Sequence, residues 1–115
     1  MKRGQIYQAD LFPRSGSEQQ GNRPVIVVSH DGFNQAAGWR SIMVVPVSTS
    51  AAQARRGPTA VVLPQGAGGL TKPSVALWHQ VTTLDRAKLT QYFGELSAEL
   101  LVQVDEGLKA ALDLN

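Results

Sequence analysis

Residues 16–29 read Gly-Ser-Glu-Gln-Gln-Gly-Asn-Arg-Pro-Val-Ile-Val-Val-Ser, and the stretch changes character half-way along. Its first half is small and polar, which predicts an exposed loop. Residues 25–28 are consecutive apolar, largely β-branched residues, which predict a core strand buried on both faces. Pro24 biases Arg23 toward extended geometry at the strand entrance. Such an arginine can bind an anionic ligand or simply solvate the end of a strand, and this stretch alone leaves both open.

Further strand patterns lie on both sides of this stretch. We expect strands at residues 5–11, 41–47, 59–63 and 92–96, and a strand-like segment at 74–84 that is one strand or two joined by a bend. Residues 30–37 predict one or two helical turns. Pro46 predicts that the third strand lies at an edge or is near its end, because a central ladder would miss its N–H.

The C-terminal residues predict an amphipathic helix with Ser97 as its N-cap. Its apolar stripe comprises Leu101, Val104, Leu108, Ala111 and Leu112. Gly107 weakens its middle by about 1 kcal/mol relative to alanine. Leu100 and Leu114 lie beyond the stripe, and a barrel this small has little surface to cover them, so we expect a symmetric homodimer. The predicted fold is mainly β: five to seven short strands closing into a small barrel, with this helix packed on it.

Composition limits the possible functions. A chain of 115 residues with 43% hydrophobic and 17% charged residues predicts one soluble domain over residues 1–115, with no bilayer-spanning run. The absence of cysteine excludes disulfides and thiolate metal sites, and two histidines argue against a zinc site. Residues 1–80 hold eight Lys/Arg and three Asp/Glu, a net charge of +5, whereas residues 81–115 hold three and six, a net charge of −3. The basic part suggests an anionic partner, most commonly nucleic acid.

Several catalytic designs are missing from the sequence. The glycines at 66–69 lead into a strand, so they do not form a phosphate-binding loop before a helix, and there is no nucleophilic cysteine or serine elbow. No carboxylate cluster suits two-metal phosphoryl transfer. Metal-free RNA cleavage fits this inventory, because the substrate supplies its own nucleophile, the 2′-hydroxyl.

Four motifs together resemble the MazF/PemK/Kid toxins, the sequence-specific endoribonucleases of bacterial toxin–antitoxin systems. They are Arg3-Gly4-x2-Tyr7; Gly16-Ser-Glu-Gln-x-Gly21-x-Arg23-Pro24; Val44-Val-Pro-Val-Ser-Thr49; and Lys72-Pro-Ser-Val-Ala-Leu77, followed by Gln80-Val-Thr-Thr-Leu-Asp-Arg86. The resemblance covers essentially the whole chain in the same order.

The resemblance implies an SH3-like barrel, a homodimer and a cytoplasmic protein that needs no cofactor or metal. It also implies cleavage of single-stranded mRNA at a short motif, leaving a 2′,3′-cyclic phosphate and a 5′-hydroxyl, and inhibition by a cognate antitoxin. We expect an acidic antitoxin segment to fold onto the basic groove and occlude the RNA path.

The resemblance assigns candidate roles to residues of this chain. The family's catalytic arginine matches Arg23, and its partner, usually a threonine, falls on Ser48, with Thr49 next to it. Glu18 matches a loop acid that contacts RNA or anchors Arg23. His79 stands where the family often has an acid, and it either transfers a proton or only bonds a neighbouring strand. Further RNA-binding candidates are Gln19, Asn22, Arg55, Arg56, Lys72 and Gln80.

Two tryptophans could stack unpaired bases. The context of Trp78 favours the barrel core, whereas Trp39, between Gly38 and Arg40, is the better stacking candidate. Two other functions remain as alternatives. One is a CcdB-like gyrase poison, although such toxins act through a C-terminal Trp-Gly-Ile and this chain ends in Leu-Asp-Leu-Asn. The other is a catalytically dead RNA-binding module.

Overall fold

The computed structural model describes residues 1–11, 21–50, 52, 55 and 57–114. The described residues form seven strands and two α-helices. The strands are β1 (Gln5–Asp10), β2 (Asn22–Val27), β3 (Ser41–Ser48), β4 (Ala60–Leu63), β5 (Ser74–Leu77), β6 (Thr82–Asp85) and β7 (Leu89–Glu95); the helices are α1 (Asp31–Asn34) and α2 (Ala98–Leu112). The prediction of a mainly β chain with a C-terminal helix is confirmed.

The strands form one antiparallel arrangement in the order β4-β5-β3-β2-β1-β7, with β6 also paired to β3. Strand β3 is therefore central, so of the two alternatives predicted from Pro46 the second holds: Pro46 lies two residues before the strand ends. On one side β3 pairs with β2, and Pro46 is one of the paired residues. On the other side it pairs with β6 as far as Val44 and with β5 from Val47. Pro46 lies at the break between these two partners, where a missing N–H costs no ladder bond.

The segment at 74–84 is two strands joined by a bend, the second of the two predicted alternatives. A 3-10 turn at Trp78–Gln80 separates β5 from β6. The last strand begins at Leu89 instead of 92, because residues of β7 from Leu89 onward pair with β1. Thr90 and Gln91 are polar and exposed, so no hydrophobic pattern in the sequence predicts a strand there. Only the pairing with β1 identifies them as part of β7.

The core consists of two apolar clusters on opposite faces of the central strands. The helix-side core includes Ile6, Ile26, Val45, Val47, Leu63, Trp78, Leu96 and Val104. The second core includes Ala9, Leu11, Val25, Val27, Ile42, Val44 and Leu84. Because alternate residues of β2 and β3 enter different clusters, both strands are buried on both faces, as their apolar runs predict.

Helix α2 begins as predicted, because Ser97 Oγ accepts the Leu100 N–H at 3.2 Å. Leu100 packs partly buried against the helix-side core, so the expectation that it lies outside the stripe is wrong. Leu114 and Leu112 are each 55% exposed. Neither described α-helix is long and apolar enough to cross a membrane.

A small polar network ties the N-terminus to α1. The Asp31 carboxylate accepts the Arg3 backbone N–H at 2.7 Å and the Asn34 side-chain amide at 3.0 Å. The Asn34 amide also donates to the Ser29 carbonyl at 2.7 Å. The Arg3 hydrogen bond, followed by the Asn34 bond, holds the pKa of Asp31 below its ordinary value. The network therefore favours the ionised carboxylate in the folded state.

We predict that the charge of Asp31 contributes stability at neutral pH that is lost in acid. Asp31→Asn keeps an oxygen acceptor but removes the charge. A lowered folded-state pKa gives stability that is present above the unfolded pKa near 4 and is lost as pH falls through the folded value. The variant should be less stable by about 1 kcal/mol or less at pH 7, since the carboxylate is largely exposed. Urea unfolding at pH 7 and pH 2.5 measures this; a difference between the two proteins that stays constant with pH would contradict it.

Candidate functional site

One edge of the sheet gathers the strand ends that carry five of the predicted site residues. It is formed by the end of β1, the start of β2, the end of β3 and the start of β5, which are neighbours in the antiparallel sheet. Val25 lies opposite Pro46, and Val27 lies opposite Val44. Arg23 lies two residues before Val25 and Ser48 two residues after Pro46, so both reach this edge on neighbouring strands.

The two residues differ in exposure. Arg23 is exposed and lies opposite Ala9 on the neighbouring strand β1. Ser48 is only 6% exposed; it pairs with Val75 of β5, and its Oγ accepts the Ser50 backbone N–H at 3.1 Å. That bond uses a lone pair, so the hydroxyl proton remains available for donation. The edge therefore combines the solvent-exposed guanidinium of Arg23 with the Ser48 hydroxyl, which is oriented by a hydrogen bond from the nearby Ser50 backbone N–H.

Three further predicted residues lie at the same edge. Thr49 follows Ser48 and is exposed. Asn22 is exposed and lies opposite Asp10 at the start of β2. Lys72 is exposed just before β5, and its carbonyl accepts the Ser74 hydroxyl at 2.8 Å. The edge thus presents one more cation, one amide and one more hydroxyl beside Arg23 and Ser48.

His79 and Gln80 lie at the other end of β5. They follow Val75, the residue opposite Ser48, by four and five positions, and because Trp78–Gln80 is a 3-10 turn this corresponds to roughly 11–13 Å along the chain. His79 is exposed, and its Nε2 lies 3.3 Å from Gln80 Nε2. Since an amide nitrogen only donates, a hydrogen bond here requires the imidazole nitrogen as acceptor. Neither residue pairs with Arg23 or Ser48 in the sheet; their turn lies between Ala76, which pairs with Val47, and Thr82, which pairs with Val44.

The remaining predicted site residues belong to connecting segments. Arg55 is exposed in the connection between β3 and β4. Glu18, Gln19 and Arg56 lie outside the described residues.

Sequence reasoning did not single out Ser74. It is 3% exposed, opens β5 directly before Val75, and its hydroxyl holds the backbone at Lys72. Its sequence signal is weak: a serine after proline at the end of a glycine-rich loop. Among the residues that the structure describes, no three His, Asp or Glu side chains lie close enough together to hold a metal ion.

Comparison with known proteins identifies the family of the chain. Residues 2–112 match the model of a family described as PemK-like, MazF-like toxins of type II toxin–antitoxin systems. The chain belongs to this family. The resemblance noted from the four sequence motifs is thereby confirmed.

Two relatives match over nearly their whole length. Endoribonuclease EndoA of Bacillus subtilis is 37% identical over 99% of this chain and 96% of the relative. Endoribonuclease MazF9 of Mycobacterium tuberculosis is 39% identical over 99% of this chain and 98% of the relative.

Solved structures show the same fold. A mycobacterial endoribonuclease in complex with its cognate antitoxin superposes with a TM-score of 0.81, at 24% identity, over 100% of this chain and 97% of that one. MazF in a MazE–MazF crystal structure from Deinococcus radiodurans superposes with a TM-score of 0.74, at 27% identity, over 100% and 97%. The small-barrel toxin fold expected from the sequence is therefore confirmed.

Proposed function

We propose that this chain is a toxin that acts as a sequence-specific endoribonuclease on single-stranded mRNA. The observation that carries the proposal is the pairing of β2 with β3, which supports Arg23 and Ser48 acting together at the same edge of the sheet in a chain of this toxin family. Relatives named as endoribonucleases, 37% and 39% identical over nearly the full chain, support the activity.

The proposed reaction is an internal transfer within the RNA. The 2′-oxygen bonds to the adjacent phosphorus and the bond from phosphorus to the 5′-oxygen breaks. A 2′,3′-cyclic phosphate and a 5′-hydroxyl result, so the substrate supplies both nucleophile and leaving group and no metal or cofactor is needed. One proton leaves the 2′-hydroxyl and one reaches the 5′-oxygen.

Arg23 and Ser48 stabilise the transition state in this scheme. A guanidinium stays protonated in proteins and offers several N–H donors in one plane, which suits two non-bridging phosphate oxygens as their charge increases. The Ser48 hydroxyl, positioned by the Ser50 N–H, donates to the same phosphate. Neither group has to accept a proton, so proton transfer is left to water.

The RNA path extends from this edge across exposed polar side chains. Asn22, Thr49 and Lys72 lie at the edge itself, and Arg55 lies in the connection after β3. We assign His79 and Gln80 to RNA contact further along β5. The net charge of +5 over residues 1–80 favours a polyanion as the ligand of this part of the chain. By resemblance, Glu18, Gln19 and Arg56 complete the path.

A protein inhibitor is the second proposed partner. The structure from Deinococcus radiodurans is named as a MazE–MazF complex, which supports an antitoxin partner for this chain. We propose that an acidic segment of the antitoxin occupies the RNA path, because both ligands would compete for the same exposed cations. We also assign the protein to the cytoplasm, where its mRNA substrate lies.

Exposed apolar side chains support a homodimer. Leu112 and Leu114 end α2 largely exposed, and Phe33 and Trp39 stack with ring centroids 4.8 Å apart while remaining 48% and 44% exposed. Large apolar side chains grouped on the surface of a small protein mark interaction sites. Closed two-fold symmetry is the commonest way to cover them.

Arg23→Lys should abolish most cleavage without affecting folding. Lysine keeps the charge but loses the planar fork, so the rate should fall by about 10²-fold or more, the size seen when one oxyanion donor is removed. The measurement incubates purified protein with a long defined RNA in EDTA and maps the cut ends. Arg40→Lys is the matched control, since Arg40 is exposed near the opposite end of β3 and pairs with Asp85. Full activity of Arg23→Lys would overturn the assignment.

His79→Ala should raise KM for RNA and leave the shape of the pH–rate profile unchanged. The expectation follows from the position of His79 at the far end of β5 from Val75. The test compares the profiles of parent and variant from pH 5 to 9. If the parent shows a limb near pH 6–7, where imidazoles ordinarily titrate, and the variant lacks it, His79 transfers a proton and the proposed water route is wrong.

The protein should sediment as a dimer at micromolar concentration, because the apolar side chains at the end of α2 and around Phe33 need a covering surface. Sedimentation equilibrium should give twice the chain mass across a tenfold dilution. A single species of monomer mass at that concentration would contradict the homodimer.

A further inference from the structure

Gly107 occupies the middle of α2 and is buried, although glycine is among the poorest helix formers. A Cβ atom added there would lie 2.8 Å from Trp78 Nε1, still closer to Trp78 Cδ1, and 2.5 Å from Val61 Cγ2. Real Cβ atoms do not approach side chains this closely, so any larger residue must displace the indole, the Val61 side chain or the helix. The helix therefore bears a glycine at the point where the indole of Trp78 lies against it.

Trp78 is held on three sides. It is 1% exposed, and its indole N–H donates to the Val104 carbonyl of α2. Its backbone N–H donates to the Thr59 carbonyl at 3.1 Å, just before β4, and its carbonyl accepts the Val81 N–H at 3.1 Å. These contacts fasten the start of the 3-10 turn at Trp78–Gln80 to both α2 and the β4 strand.

The same turn carries His79 and Gln80, which are the next two residues along the chain. Their side chains lie on the outside of the turn while Trp78 lies in the core. In a three-residue turn, a displacement of the first residue is transmitted to the other two through the shared backbone. An indole moved by roughly an ångström, the amount needed to restore ordinary contact distances, would move both polar side chains.

We propose that Gly107 and Trp78 are positioning residues, which set the His79–Gln80 turn for RNA by docking it on α2. This inference rests on the proposed function, in which His79 and Gln80 contact RNA. It gives α2 a role beyond covering the core, because the helix lies on the side of the sheet where Trp78 is buried and determines where the turn projects. It also explains why a poor helix former stands at position 107.

The test measures cleavage kinetics and NMR spectra of Gly107→Ala. KM for the RNA should rise on the order of 10- to 100-fold, as expected for substrate-positioning groups displaced by about an ångström, with kcat nearly unchanged. Backbone amide resonances of His79 and Gln80 should shift, whereas those of Arg23 and Ser48 should not. If Gly107→Ala does not fold, Trp78→Phe replaces it, because the smaller ring removes the N–H bond to Val104 and should give the same pattern more weakly.

Ser97→Ala is the matched control. It removes the hydrogen bond from the Leu100 N–H and so weakens the same helix at its other end, away from Trp78. Both variants should melt earlier, but only Gly107→Ala should raise KM. An equal KM in both variants, or unshifted His79 and Gln80 resonances in Gly107→Ala, would overturn the proposal. If the parent protein does not cleave RNA, the proposed function is wrong, and the inference about RNA positioning is wrong with it. The NMR resonances would still show, independently of activity, whether α2 determines the position of the turn.

Discussion

Strands β2 and β3 pair with Val25 opposite Pro46, and the geometry of the site depends on this register. Ile26 enters the helix-side core, whereas Val25 and Val27 enter the second core, and all three are fully buried. A slip by one residue would exchange these two sets of side chains, so the packing of both cores opposes it. Arg23 is thus placed by the burial of neighbours that take no part in chemistry.

The edge assembled by this register leaves its cations in water. Arg23 and Lys72 are exposed, and exposed charges interact weakly with each other and with the rest of the protein. In the proposed function, their attraction for a phosphate would strengthen as a bound RNA excluded water from the edge. Ser48 differs, because it is buried and its Oγ is already bonded to the Ser50 N–H. The hydroxyl is thus already oriented within the edge, whereas the two cations are exposed to solvent.

Glycines also allow the backbone of the loop before β5 to lie directly against the backbone of β7. A Cβ on Gly94 of β7 would lie 2.7 Å from the carbonyl carbon of Gly68, and a Cβ on Gly69 would overlap the Phe93 carbonyl oxygen. The loop before Lys72 therefore lies directly on β7, which is the last strand of the sheet path. The loop before β5 thus contacts β7 through glycines, and Trp78, directly after β5, contacts α2 through Gly107. Strand β5, which connects the Lys72 and His79 positions, therefore has a glycine-mediated contact at each end.

Local patterns in the sequence determined the elements whose signals are strong. The apolar run at 25–28, the Ser97 cap and the stripe around Val104 predicted β2 and α2, and the Arg23-Pro24 motif with its companions predicted the family. Tertiary structure decided what depends on distant partners. Pro46 is tolerated in a central strand because β5 and β6 share one side of β3, and Leu89 belongs to β7 because β1 pairs with it. It also placed His79 in the turn between β5 and β6 and Trp78 against Gly107. Such contacts join residues far apart in the chain, and no local periodicity records which of them meet.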